Sequence, residues 1–136
     1  MKRFGLAAAV AAFLAPGGAL AFSSAYTCVF TTSCSADAGG CEGTKVTYGL
    51  KQSGGAWSVL DVYNGQEVKG LAVEAIDDAV SLRWKAGGVW NNELALVEMV
   101  LAADGAAAMS SIGRNDGRLG ASVLTGRCEA GKAAER

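Results

Sequence analysis

The chain has 136 residues, a hydrophobic share of 51% and a formal net charge of −1, so neither nucleic acid nor an anionic membrane surface is expected as its main partner. It contains no histidine, which excludes Ser/His/Asp and Cys/His nucleophile systems and removes the commonest metal ligand.

The first residues, MKRFG followed by LAAAVAAFLAPGGALA, combine a basic start, an apolar stretch and the small residues of Ala19-Leu20-Ala21. This pattern predicts a secretory signal peptide over 1–21, cleaved after Ala21. The apolar run before Pro16 is well short of the ~20 residues that span a bilayer, and no second one follows, so the mature chain is expected to carry no membrane span. Its 115 residues hold 10 basic and 13 acidic side chains, a net charge of −3, and have the size of one domain. That domain is predicted over 22–129, with 130–136 as a flexible tail because AGKAAER offers no apolar side chain beyond alanine. The style of the signal points to the periplasm or to secretion.

The segment AYTCVFTTSCSADAGGCEG (25–43) holds three of the four cysteines, Cys28, Cys34 and Cys41, while Cys128 lies close to the C-terminus. In an exported domain an even cysteine count reads as disulfides. The spacing lacks the paired C-x-x-C of a zinc site or a redox centre. Of three pairings, Cys34–Cys41 with Cys28–Cys128 is favoured. SADAGG closes a small flexible loop, and the long bridge then ties the first strand to the last.

Eight strands are predicted in chain order, beginning with SAYTCVFT (24–31). In TKVTYGLK (44–51), Val46, Tyr48 and Leu50 alternate with Lys45, Thr47 and Lys51, the pattern of a half-buried strand. QSGG turns the chain into AWSVLDVY (56–63), and Asn64-Gly65 suits a two-residue hairpin leading to QEVKGLAVEA (66–75). Asp77-Asp78 breaks that run before AVSLRWK (79–85). ELALVEMVLA (93–102) has helix-forming residues, but the Asp104-Gly105 turn after it favours a strand. AAAMSSIG (106–113) then passes through RNDG into RLGASVLTGRC (118–128). Short strands joined by hairpins predict an all-β fold, an antiparallel up-and-down barrel of about eight strands stabilised by disulfides, with a two-sheet sandwich as the alternative.

The sequence carries no catalytic constellation. Glu93 and Glu98 fall on opposite faces of a strand, and Asp77 and Asp78 occupy a turn, so both pairs read as solvated charges. No phosphate loop, calcium loop or metal site is recognisable, and no cofactor is expected. Aromatic residues remain. Trp57, Trp84 and Tyr48, with Tyr63 nearby, either fill a small barrel or line an apolar pocket in it. Trp90, followed by Asn91 and Asn92, suits an exposed contact anchor. The expected function is therefore a non-enzymatic, periplasmic β-domain that contacts another periplasmic protein, as accessory subunit or inhibitor. The alternative is a binding module that holds a small apolar molecule in an aromatic-lined pocket.

Overall fold

A computed structural model describes residues 22–36, 39–87, 94–115 and 117–134. The predicted signal, residues 1–21, lies outside them. Nine strands form in order: β1 (Ala25–Ser35), β2 (Gly40–Ser53), β3 (Ala56–Asp61), β4 (Glu67–Lys69), β5 (Ala72–Ile76), β6 (Ala79–Gly87), β7 (Leu94–Ala102), β8 (Ala106–Asn115) and β9 (Arg118–Ala130). All belong to one antiparallel sheet of order β4-β3-β2-β1-β9-β8-β7-β6-β5, curled into a half-barrel. The single sheet rules out the sandwich. First and last strands meet where expected, with Cys28 opposite Cys128.

The ninth strand comes from a break in the run predicted over 66–75. Gly70 takes φ +67°, a conformation that L side chains rarely adopt, and Leu71 then turns inward, buried, with its N–H donating to the Trp57 carbonyl at 3.2 Å. β4 consequently pairs only with β3, and β5 only with the Ala79–Arg83 half of β6. These two short strands are the edges of the sheet.

Turn chemistry explains most of the other boundaries. Gly54 and Gly55, at φ +60° and +88°, form the tight two-residue link between Ser53 and Ala56, the mirror-image turn whose twist suits a hairpin. The Asn64-Gly65 turn is wider than the two residues expected. β3 stops at Asp61, whose Oδ1 accepts the N–H groups of Tyr63 (2.9 Å) and Asn64 (3.4 Å), and Asp61 N–H pairs across the loop with the Gln66 carbonyl. A side chain that caps its own following amides holds the chain in a loop.

Strand alternation puts one set of side chains inside. Phe30, Leu50, Leu82, Met99 and Leu101 are fully buried, with Trp57, Val59 and Val80 packed among them. Each such large apolar side chain contributes roughly 1.5–3 kcal/mol by leaving water. One end of the barrel is plugged by rings: Trp57 meets Phe22 edge-on at 6.1 Å between centroids and Tyr26 stacked at 6.3 Å. The Cys28–Cys128 bridge is buried in this core, whereas Cys34–Cys41 joins β1 and β2 near their hairpin.

Residues 131–134, expected to be a free tail, instead lie against the outside of β1 and β2. Gly131 N–H donates to the Ala25 carbonyl at 3.0 Å, Thr27 Oγ1 donates to the Lys132 carbonyl at 2.9 Å, and Ala133 is buried. Gly49 makes this possible, since a Cβ there would collide with the main chain of Ala134.

Candidate functional site

Toward the end opposite the aromatic plug, the inward side chains become small. Ser33 and Ser35 on β1, Thr44 on β2, Ser111 on β8 and Ser122 on β9 occupy positions that large apolar residues hold at the plugged end. The unfilled space is an open cavity of about 620 Å³, well within the range of small-molecule sites. Its two sides differ. Strands β8, β9, β1 and β2 supply the five hydroxyls just named, and Ser111 and Ser122 bond to each other at 3.0 Å. The facing side is largely apolar, built from Val59, Val68, Trp84, Ala86, Ala95 and Val97, with Asp61, Tyr63 and Gln66 at its β3–β4 end, and Val46, Met109 and Leu124 add apolar surface on the hydroxyl-bearing strands.

One polar group stands out within this lining. Tyr48 sits directly across from Asp61 in the β2–β3 pairing and packs edge-on against Phe30 at 6.0 Å. Its hydroxyl makes no hydrogen bond among the described residues. Burial pushes its ionisation far above the usual phenol range, and the Asp61 charge adds to the shift. The phenol is therefore neutral and available as a donor to whatever enters the cavity.

The residues singled out from the sequence separate spatially. Tyr48 and Trp84 line the cavity, and Tyr63 stands at its rim, 91% exposed. Trp57 belongs to the plug at the other end and does not line the cavity. Trp90, Asn91, Asn92 and Glu93 lie outside the described residues. Glu98 faces outward and accepts the hydroxyl proton of buried Ser81 at 2.6 Å. Asp77, at φ +51°, and Asp78 form the β5–β6 turn. Among the described residues no group of three or more acidic or cysteine side chains is placed to hold a metal ion, and no helix is long and apolar enough to cross a membrane.

The sequence reading missed the cavity's serines and valines, although their signal was present. Small residues recur at every second position of β1, β8 and β9 near the same turns, which marks a stretch of barrel that its own side chains cannot fill.

A second feature lies on the outer face of the sheet. Leu96 pairs across to Ile112, and Ile112 to Ala121, with Leu119 and Val123 exposed beside them. Outward apolar residues in adjacent registers form a patch, which is more informative than the same residues scattered singly.

Comparison of the chain with protein-family models, with curated proteins and with solved structures gives no match.

Proposed function

We propose that this protein is an exported, non-enzymatic binding module that holds a small, largely apolar molecule in the open end of its half-barrel. The observation that carries this reading is the 620 Å³ cavity, lined mostly by apolar side chains with hydroxyls among them. Among the described residues Asp61 is the only carboxylate of the lining, and its Oδ1 is engaged with the turn amides, which supports holding over turnover. Two disulfides support an oxidising compartment, and the signal-like residues 1–21 support the periplasm.

Calorimetric titration with decanol, an apolar chain bearing one hydroxyl, tests the reading. Binding to the natural chain that is lost in Ser122→Leu, a replacement that fills the cavity from β9, is the expected result. Equal binding by both proteins, or by neither, would reject the cavity as the site.

Contact with another protein is a second reading, favoured by the outer patch of Leu96, Ile112, Leu119 and Val123. A photo-crosslinker at position 112 in the native organism tests it. A discrete adduct that disappears with Leu96→Lys supports the contact, and the absence of any adduct counts against it.

A further inference from the structure

Among the described residues, one charge of the cavity has no counter-charge. Three charged residues border the space, Lys45, Asp61 and Arg114. Lys45 lies between inward Thr44 and Val46, and Arg114 lies two residues from outward Ile112, so strand alternation turns both cations to the outer face. Asp61 instead stands across from Tyr48, whose ring packs inside against Phe30, and side chains paired across two strands share a face. Glu42 on β2 and Arg118 on β9 also have the inward parity, but they sit at the hairpin ends and neither is part of the lining.

The Asp61 carboxylate is only half used. Its Oδ1 accepts the Tyr63 and Asn64 amides, whereas Oδ2 has no hydrogen-bond partner and the group joins no ion pair among the described residues. Further acceptors lie close by. The phenol oxygen of Tyr48 is unspent directly opposite, and Gln66, whose main-chain carbonyl accepts the Asp61 N–H, belongs to the lining. Tyr63, two residues on, adds a ring whose face attracts cations.

A negative charge beside acceptors and aromatic rings suits an ammonium group. A partly buried carboxylate attracts a cation more strongly than one in open water, because the local dielectric is lower. The same charge repels an anionic head. Away from this corner, Val68, Trp84, Val97, Met109 and Leu124 present hydrocarbon to the space, which suits an apolar body leaving water. Resting on the reading of the cavity as a binding site, we infer that the ligand is an amphiphilic amine, an apolar body with one protonated amino group. The ammonium sits at Asp61 beside Tyr48 and Tyr63, and the body lies against Trp84, Met109 and Leu124.

Calorimetric titration at neutral pH and low salt compares decylamine, which is protonated there, with decanol and decanoate, each below its micellar concentration. Decylamine is expected to bind tightest and decanoate weakest. Asp61→Asn removes the charge and keeps the Oδ1 that caps the turn. It should lower the ratio of decylamine to decanol affinity by roughly tenfold, the scale of one hydrogen bond to a charged group. Decylamine binding that survives Ser122→Leu, which fills the cavity, is attraction to the acidic surface and overturns the assignment. Decylamine binding no tighter than decanol, or an affinity ratio undiminished in Asp61→Asn, overturns the ammonium site while the cavity reading stands. Binding of none of the three overturns both.

Discussion

Removing the two disulfides separately should cost unequal amounts of stability, and the inequality follows from the connectivity. Cys28–Cys128 spans 100 residues and Cys34–Cys41 spans 7. In the chain-entropy treatment a closed loop of n residues restrains the unfolded state by about 2.1 + 1.5R ln n cal/mol/K, which at 25 °C gives about 4.7 kcal/mol for the long bridge and about 2.4 kcal/mol for the short one. Replacing both partners by alanine in each case avoids stray thiols. The Cys28/Cys128 pair should then lose at least about 2 kcal/mol more than the Cys34/Cys41 pair, because its two sulfurs also leave a buried site. Against a total stability of roughly 5–15 kcal/mol for a domain, the long bridge is about a third of the whole at the upper end of that range and nearly all of it at the lower. Equilibrium urea unfolding, with midpoints and slopes fitted for each variant, measures the difference. The single replacements Cys28→Ser and Cys128→Ser should agree closely, since either one abolishes the same bridge. A Cys34/Cys41 variant that loses as much as the Cys28/Cys128 variant would refute the reasoning.

Stability should also fall at alkaline pH in a manner traceable to Tyr48. Its folded ionisation is raised above the unfolded value of 10.0, so its contribution is complete below about pH 10 and is lost as pH rises beyond that. The slope approaches about 1.4 kcal/mol per pH unit for one such group. Tyr48→Phe should flatten the alkaline limb of a melting-temperature profile, and a profile unchanged by that replacement would place the effect elsewhere. Gly126→Ala should be destabilising by about 1–3 kcal/mol, because a Cβ at that position would meet the main chain of Val29 and Phe30 beside the irregular register of β1 and β9. Gly43→Ala, which meets nothing within 4 Å, provides the control in the same thermal melt. Equal melting temperatures for the two variants would show that the close approach at Gly126 carries no cost.

The all-β class was legible because period-two alternation survives in nearly every strand. TKVTYGLK places Val46, Tyr48 and Leu50 inside as its pattern implies, and Leu94–Ala102 forms a strand despite its helix-forming residues, since Val97, Met99 and Leu101 meet the interior at every second position. What escaped the sequence reading depends on groups distant along the chain or on competition within a turn. Gly70 gave no local sign that the fourth predicted strand would split. Asp61 overrode Asn64-Gly65 through its own capping bonds. Trp57 and Trp84 look alike in sequence, yet one closes the plugged end and the other faces the cavity, because position along the barrel axis follows from register, which pattern alone leaves open. The binding of residues 131–134 to the outer face rests on Gly49, far away in sequence.

The two ends of the half-barrel divide the work of holding the chain together and of leaving space within it. At the plugged end, Phe22, Tyr26 and Trp57 form ring contacts over Leu71 and Val80, and the long bridge lies buried among them. Dispersion and burial are dense there, so the sheet needs little further support. At the open end the inward serines and Thr44 leave β1 and β2 without large partners, and a sheet edge or hairpin lacking such contacts is the kind of region that opens locally. The Cys34–Cys41 bridge crosses β1 and β2 one residue away from both Ser33 and Ser35. A covalent link there replaces the packing that the cavity omits. The modest effect expected of it on global unfolding fits that role, since the gain lies in holding one wall of the cavity in position rather than in closing a long loop. The cysteine cluster near the N-terminus thus follows from the same feature as the cavity, an end of the barrel kept free of large side chains.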